Sequence, residues 1–165
     1  MKTLYLIRHA KSSKELNIAD IDRPLNERGY NDSELIGKKL LQEKIKPDLL
    51  ISSPAIRAFS TALIIARNLE YAEDRIVLNK NLYETSAKDY ANEISKTNDS
   101  INCIFVFGHN PTISEASEFF LKKNFEEMPT CGVIGLTFKT NKWSDVLSIP
   151  ASLSLHLFPS SLKTM

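Results

Sequence analysis

The chain has 165 residues, 42% hydrophobic and 25% charged, which suits one compact globular domain. Its net charge of +1 gives no global electrostatic reason to expect nucleic acid or an acidic partner, so any preference for anions must come from local clustering. No apolar run reaches the length of a membrane span, which leaves no expectation of a membrane partner.

The opening Met-Lys-Thr-Leu-Tyr-Leu-Ile-Arg-His has a charge close behind its apolar run and no small-residue cleavage site. It reads as a first strand over residues 3–8 and not as a signal peptide, with a cytoplasmic location as the default. Residues 9–25 are polar, lack helical periodicity and contain Asp22-Arg23-Pro24-Leu25. They read as a loop over the sheet end. Asn26 caps a helix over about 27–44, with Leu35, Ile36, Leu40 and Leu41 on one face and Gly29 and Gly37 weakening it. After Pro47, Asp48–Ser52 is a second strand. Ser53 caps the next helix with Pro54 at its first position, and Ala62, Ile65, Ala66 and Leu69 face the core.

Arg75–Leu78 is a short third strand, 81–85 a connector, and 86–96 a helix capped by Thr85 or Ser86. Asn102–Phe107 is the strongest strand, and Asn110-Pro111 opens a helix to about Lys122. Val133–Lys139 is a strand, Asn141-Lys142 a turn, Asp145–Ile149 and Leu153–Phe158 closing strands, and the last residues a loose end. Strands alternate with helices through residue 122, which predicts an α/β fold with a mostly parallel sheet covered on both faces. No repeat or linker divides the chain, so residues 1–165 are expected to form a single domain.

Cys103 and Cys131 are isolated and lack a Cys-x-x-Cys spacing, so neither a zinc site nor a disulfide framework is expected. Two of the three histidines, His9 and His109, stand at the ends of apolar strands. Ligands of open α/β sheets bind at strand ends, so these two mark a candidate site. A neutral imidazole at His9 is a nucleophile able to attack phosphorus. Arg8 beside it can hold a phosphate with two prongs, and Lys11, Ser12 and Ser13 add donors.

Arg57 lies in the first turn of its helix, where free N–H groups and the helix dipole attract anions. A solvated surface arginine is the plain alternative. His109 follows Gly108, which allows a sharp turn, and suits a phosphate ligand or a proton shuttle; a helix-capping turn is the alternative. Glu84 could protonate a leaving group, or be an exposed glutamate before a helix. His156 alternates with leucines, which places it on the polar face of a strand in a structural or solvated role.

Arg8-His9-Ala10, Ser53-Pro54-x-x-Arg57-Ala58-x-x-Thr61-Ala62 and Gly108-His109-Asn110-Pro111 together resemble the histidine phosphatase superfamily, of phosphoglycerate mutase-like fold. Arg-His-Ala-Lys-Ser-Ser, Asp22-Arg23-Pro24-Leu25 and Pro129-Thr130-Cys131 before a Val-Ile-Gly-Leu-Thr-Phe strand are similar to its compact SixA branch, named for a phosphohistidine phosphatase. The resemblance implies a three-layer α/β/α sandwich. It implies His9 as the phosphorylated nucleophile, with Arg8, Arg57 and His109 around the phosphoryl oxygens; Ser12, a donor in the loop after His9, is expected among the binding residues from its place alone. It implies no cofactor and no metal, because two arginines and an imidazole supply the positive charge that Mg²⁺ supplies elsewhere. Ala10 stands where the superfamily more often has glycine, and Glu84 falls near the acid of larger members. No length remains for a cap, so the implied open site would admit a phosphorylated protein or a small phosphate ester. A mutase or a non-catalytic phosphate-binding module remain as alternatives.

Overall fold

The computed structural model describes residues 1–15 and 17–163. Four strands run parallel: β1 (Lys2–Arg8), β2 (Leu49–Ser52), β3 (Val77–Leu78) and β4 (Cys103–Gly108). β5 (Val133–Phe138) joins antiparallel to β1, and β6 (Ser152–Leu157) antiparallel to β5, in the order β3-β2-β4-β1-β5-β6. Helices α1 (Glu27–Gln42), α2 (Ile56–Asn68) and the short α5 (Pro159–Lys163) cover one face; α3 (Ala87–Ser95) and α4 (Thr112–Leu121) cover the other. β1 divides its side chains between the layers. Leu4 and Leu6 enter the core under α3 and α4, Tyr5 and Ile7 the core under α1 and α2. The result is a three-layer α/β/α sandwich. No helix among the described residues is long and apolar enough to cross a membrane.

Strand register is what builds the site. β1 and β4 pair with Arg8 opposite Gly108, and β2 pairs with β4 so that Ser52 lies opposite Phe107. β1 and β4 therefore end at one level and β2 one residue before it, so that His9, His109 and Ser53 emerge at the same edge of the sheet. Two further backbone bonds hold this level: His9 N–H to Gly108 O at 3.1 Å and Ser53 N–H to Phe107 O at 3.0 Å.

Local signals hold at several element ends. The Asn26 side chain accepts from Gly29 N–H at the start of α1, and Ser86, not Thr85, makes a capping box with Asp89 at α3. Three expectations need correction. α2 begins at Ile56, because Ser53-Pro54 forms a turn and the Ser53 hydroxyl takes Ala55 N–H at 3.2 Å instead of capping the helix. Residues 145–149 are not a strand. Trp143–Leu147 is a 3-10 turn that buries Trp143 and Val146 three residues apart, while Trp143 N–H donates to Asp99 Oδ1 at 2.8 Å. Residues 159–163 are not loose, since they form α5 and Lys163 pairs with buried Asp32 at 2.6 Å; residues 164 and 165 lie outside the described residues. Gly29 allows a close approach: a Cβ there would lie 2.1 Å from Lys11 O, where the loop after His9 crosses the helix.

Candidate active site

His9 is only 8% exposed, and its Nδ1 lies 2.7 Å from Ala10 O. A carbonyl can only accept, so Nδ1 carries the proton and Nε2 keeps its lone pair. Burial pushes the His9 pKa down to about 3, and neighbouring His109, Arg57 and Arg8 push the same way against the opposing Ala10 bond. At neutral pH the ring is uncharged, the state a nucleophile requires.

The main chain around it is tied on each side. Cys131 N–H reaches both Arg8 O and His9 O at 3.1 Å. Ala10 N–H donates to Thr61 Oγ1 at 2.9 Å, and the Thr61 hydroxyl donates to Arg57 O at 2.7 Å. Thr61 thus locks the His9 loop to the α2 turn that carries Arg57.

The His109 ring centroid lies 5.2 Å from that of His9. His109 Nε2 is 2.7 Å from Ser53 Oγ, and this hydroxyl already accepts Ala55 N–H. When the Ser53 hydroxyl gives its proton to Nε2, His109 holds its own proton on Nδ1. That atom is buried without a hydrogen-bond partner, as are Arg8 Nε and Arg57 Nε. In that tautomer three donors from three elements lack a partner, and an anion would satisfy them. Burial also lowers the His109 pKa, to about 4, with Arg57 adding to the effect.

His9, Arg8, Ser12, Arg57 and His109 line one cavity of about 260 Å³. Lys11, Lys14 and Arg23 line it too, so it holds five lysine and arginine side chains and no carboxylate. Ser12 is buried and accepts from Arg23 Nη1 at 2.7 Å, which makes it a support for that guanidinium. Among the described residues no group of three or more histidine, cysteine or acidic side chains could hold a metal ion. Glu84 lines a neighbouring cavity with Tyr83 and Thr112, outside the cationic one. His156 sits on β6, away from both cavities, 2.5 Å from Glu126 Oε1.

A model of the histidine phosphatase superfamily (branch 1) matches residues 4–102. The chain belongs to this superfamily. The match spans Arg8, His9 and Arg57 and ends before His109, which the fold itself brings to the site. A Mycobacterium tuberculosis protein of uncharacterised role is 31% identical over 152 residues, covering 85% of this chain and 91% of that one. The structure assigned as phosphohistidine phosphatase SixA from Agrobacterium tumefaciens is 25% identical at a TM-score of 0.82, covering 94% of this chain and 97% of its own. The protein histidine phosphatase SixA complexed with tungstate has the same fold, with a TM-score of 0.85 at 16% identity and coverage of 97% and 99%. A mycobacterial glucosyl-3-phosphoglycerate phosphatase shares it less closely, at a TM-score of 0.69 and 16% identity, covering 94% and 98%.

Within this phosphatase fold three residues escape sequence reasoning. Asp20 lies in a 3-10 turn, Asp20–Asp22, of the loop after His9. Its carboxylate takes Arg57 Nη2 at 3.0 Å, Tyr83 OH at 2.6 Å and Arg23 Nη2 at 3.0 Å, and its carbonyl takes Arg57 Nη1 at 2.7 Å. The Tyr83 hydroxyl and the two guanidinium groups hold the carboxyl well below the usual carboxylate range, so it is an anion. Tyr83 also sets its ring edge against His109. Tyr90, at the back of the site, accepts His109 N–H and donates to Leu82 O. Gly108 is needed for Tyr90 and not for a special turn: its φ is not positive, and a Cβ would fall 2.3 Å from the Tyr90 hydroxyl. The one sequence signal for Asp20 is an acid placed three residues before Arg23 in a loop otherwise rich in donors.

Proposed function

We propose that this chain is a phosphatase that passes a phosphoryl group through His9 Nε2 and acts on protein phosphohistidine. The observation that carries the reading is the His9 tautomer. Nδ1 is tied to Ala10 O, the ring is neutral, and the bare Nε2 belongs to a residue that shares a cavity with Arg8, Arg57 and His109. A module built only to bind phosphate has no need of a free imidazole lone pair among buried cations.

In the reading proposed, Nε2 forms a bond to phosphorus as the bond to the leaving group breaks, and the leaving group departs with the electron pair. Arg8, Arg57 and His109 Nδ1–H meet the equatorial oxygens, whose charge they stabilise without reorganisation. Water then attacks phosphorus, the Nε2–P bond breaks, and phosphate and neutral His9 are returned. Positive charge from these side chains stands where a metal ion would otherwise be required. A cavity of about 260 Å³ also suits a small phosphate ester, and a glucosyl-3-phosphoglycerate phosphatase of the same fold keeps that second reading open.

Rapid quenching with labelled phosphohistidine protein should trap an acid-labile, base-stable label on His9, and His9→Ala should lose both label and turnover. Label on another residue, or full activity in His9→Ala, would refute the mechanism. Turnover of sugar phosphates alone, with label still on His9, would retain the mechanism and replace the substrate.

A further inference from the structure

The cationic cavity does not end blindly. A second cavity, of about 280 Å³, shares Arg57, His109 and Asn110 with it. Its character is opposite. Two carboxylates, Asp20 and Glu84, line it, and its only lysine or arginine is Arg57. That arginine already spends both terminal nitrogens on Asp20. A phosphoryl group held by Arg8, Arg57 and His109 fills the first cavity, so the remainder of the substrate extends past the shared wall into the second. There it meets a fixed negative charge. Asp20 is anchored from three sides, by Arg57, Arg23 and Tyr83, yet half of its side chain remains open to solvent and to a bound group.

Building on the phosphatase reading above, we propose that Asp20 is the residue that selects the leaving group by charge, favouring cationic or N–H-donating groups and rejecting anionic ones. A carboxylate on the leaving group would face Asp20 and Glu84 across a partly desolvated wall, an arrangement that discriminates by repulsion. A leaving imidazole or amine that enters protonated departs as the neutral base when its bond to phosphorus breaks, so it needs no proton from the protein, and its N–H can donate to Asp20. That economy fits a site whose two imidazoles are both neutral at pH 7. The Tyr83 hydroxyl proton is already given to Asp20.

The test uses three phenyl phosphates that differ only at the para position: aminomethyl, carboxamide and carboxylate. In the wild-type protein kcat/KM should fall in that order, with on the order of tenfold between the cation and the anion. The spread should narrow at high salt because Asp20 is half exposed. Asp20→Asn keeps an oxygen for Arg57 and Tyr83 but removes the charge, and should collapse the order; Asp20→Glu should keep it. Asp20→Asn slowing all three esters by one factor would show that Asp20 only positions Arg57, and the inference would be wrong. Calorimetric binding of the same esters to His9→Ala reads the charge order without turnover. If the wild-type protein hydrolyses none of them, the phosphohistidine labelling of His9 decides the phosphatase reading, while the binding order still decides the role of Asp20. An anion bound as well as the cation overturns that role whether or not turnover occurs.

Discussion

The neutral state of the two site histidines has a measurable cost in acid. In the folded chain burial holds His9 near a pKa of about 3 and His109 near about 4; in the unfolded chain both return to the ordinary value of about 6.5. A depressed folded value means that the unfolded state binds protons first as pH falls. Stability is therefore fully present above about pH 6.5 and is lost progressively between there and the folded values. At pH 5 each group sits about 1.5 pH units below its unfolded value, which corresponds to about 2 kcal/mol lost per histidine relative to pH 7. Urea unfolding at pH 7 and pH 5, in buffers free of phosphate so that no anion stabilises the fold, should show this loss. His9→Asn retains an amide donor for Ala10 O but cannot titrate. It should lose about 2 kcal/mol less than the wild-type protein over the same interval, whatever its stability at pH 7. Equal losses in the two proteins would mean that His9 is protonated in the folded state near neutrality, and the argument for a free Nε2 would fail.

Substitutions at Arg57, Arg28 and Gly108 test the framework around it. Arg57→Ala should lower kcat/KM by about a hundredfold or more, and Arg57→Lys should restore little because one ammonium cannot hold Asp20 and present a further N–H to phosphate. Arg28, whose exposed side chain pairs with Asp32 on α1, should be replaceable by Ala with little kinetic effect; equal losses at positions 28 and 57 would show that the site is a diffuse basic surface. Gly108→Ala drives a methyl group into the Tyr90 hydroxyl and should cost about 1–3 kcal/mol of stability together with misplacement of His109, measured by thermal unfolding and by turnover. A neutral Gly108→Ala would show that Tyr90 is free to move.

The strand ends were legible because their signal is local. Leu4–Ile7 and Ile104–Phe107 are continuous apolar runs, as strands covered on both faces must be, and each run ends on its histidine. Arg57 was legible because a cationic residue in the first turn of a helix opposes the dipole and calls for an anion. Asp20, Tyr83 and Tyr90 were not, and Thr61 was legible only as part of the Ser53–Ala62 motif, because what these side chains bond to exists only after folding. Asp20 meets Arg57 across 37 positions and Tyr83 across 63, and Thr61 meets Ala10 across 51. No periodicity or spacing encodes such pairs. The false strand at 145–149 has the same origin: its alternation is compatible with either structure, and burial of Trp143 beside Val146 decides for the 3-10 turn.

Placement of chemistry and of selectivity on different supports follows from these contacts. Every main-chain bond that fixes His9 comes from a neighbouring strand end, from α2 through Thr61, or from the turn before β5. These are buried, mutually braced elements, and a shift in any of them would move the His9 ring, whose alignment the proposed in-line attack depends on. The face toward the leaving group is different. Asp20, Tyr83 and Glu84 sit on short turns and loops whose side chains reach solvent, and Asp20 is held there by hydrogen bonds from Tyr83, Arg23 and Arg57. Substitutions at 20, 83 or 84 can therefore change the accepted leaving group while the phosphoryl-transfer frame stays rigid. Arg57 is the exception, because it belongs to both sides: its terminal nitrogens hold Asp20, and it lines the cationic cavity with His9 and His109 as well as the acidic one. A change at Arg57 must therefore alter rate and selectivity together, whereas a change at Asp20 separates them.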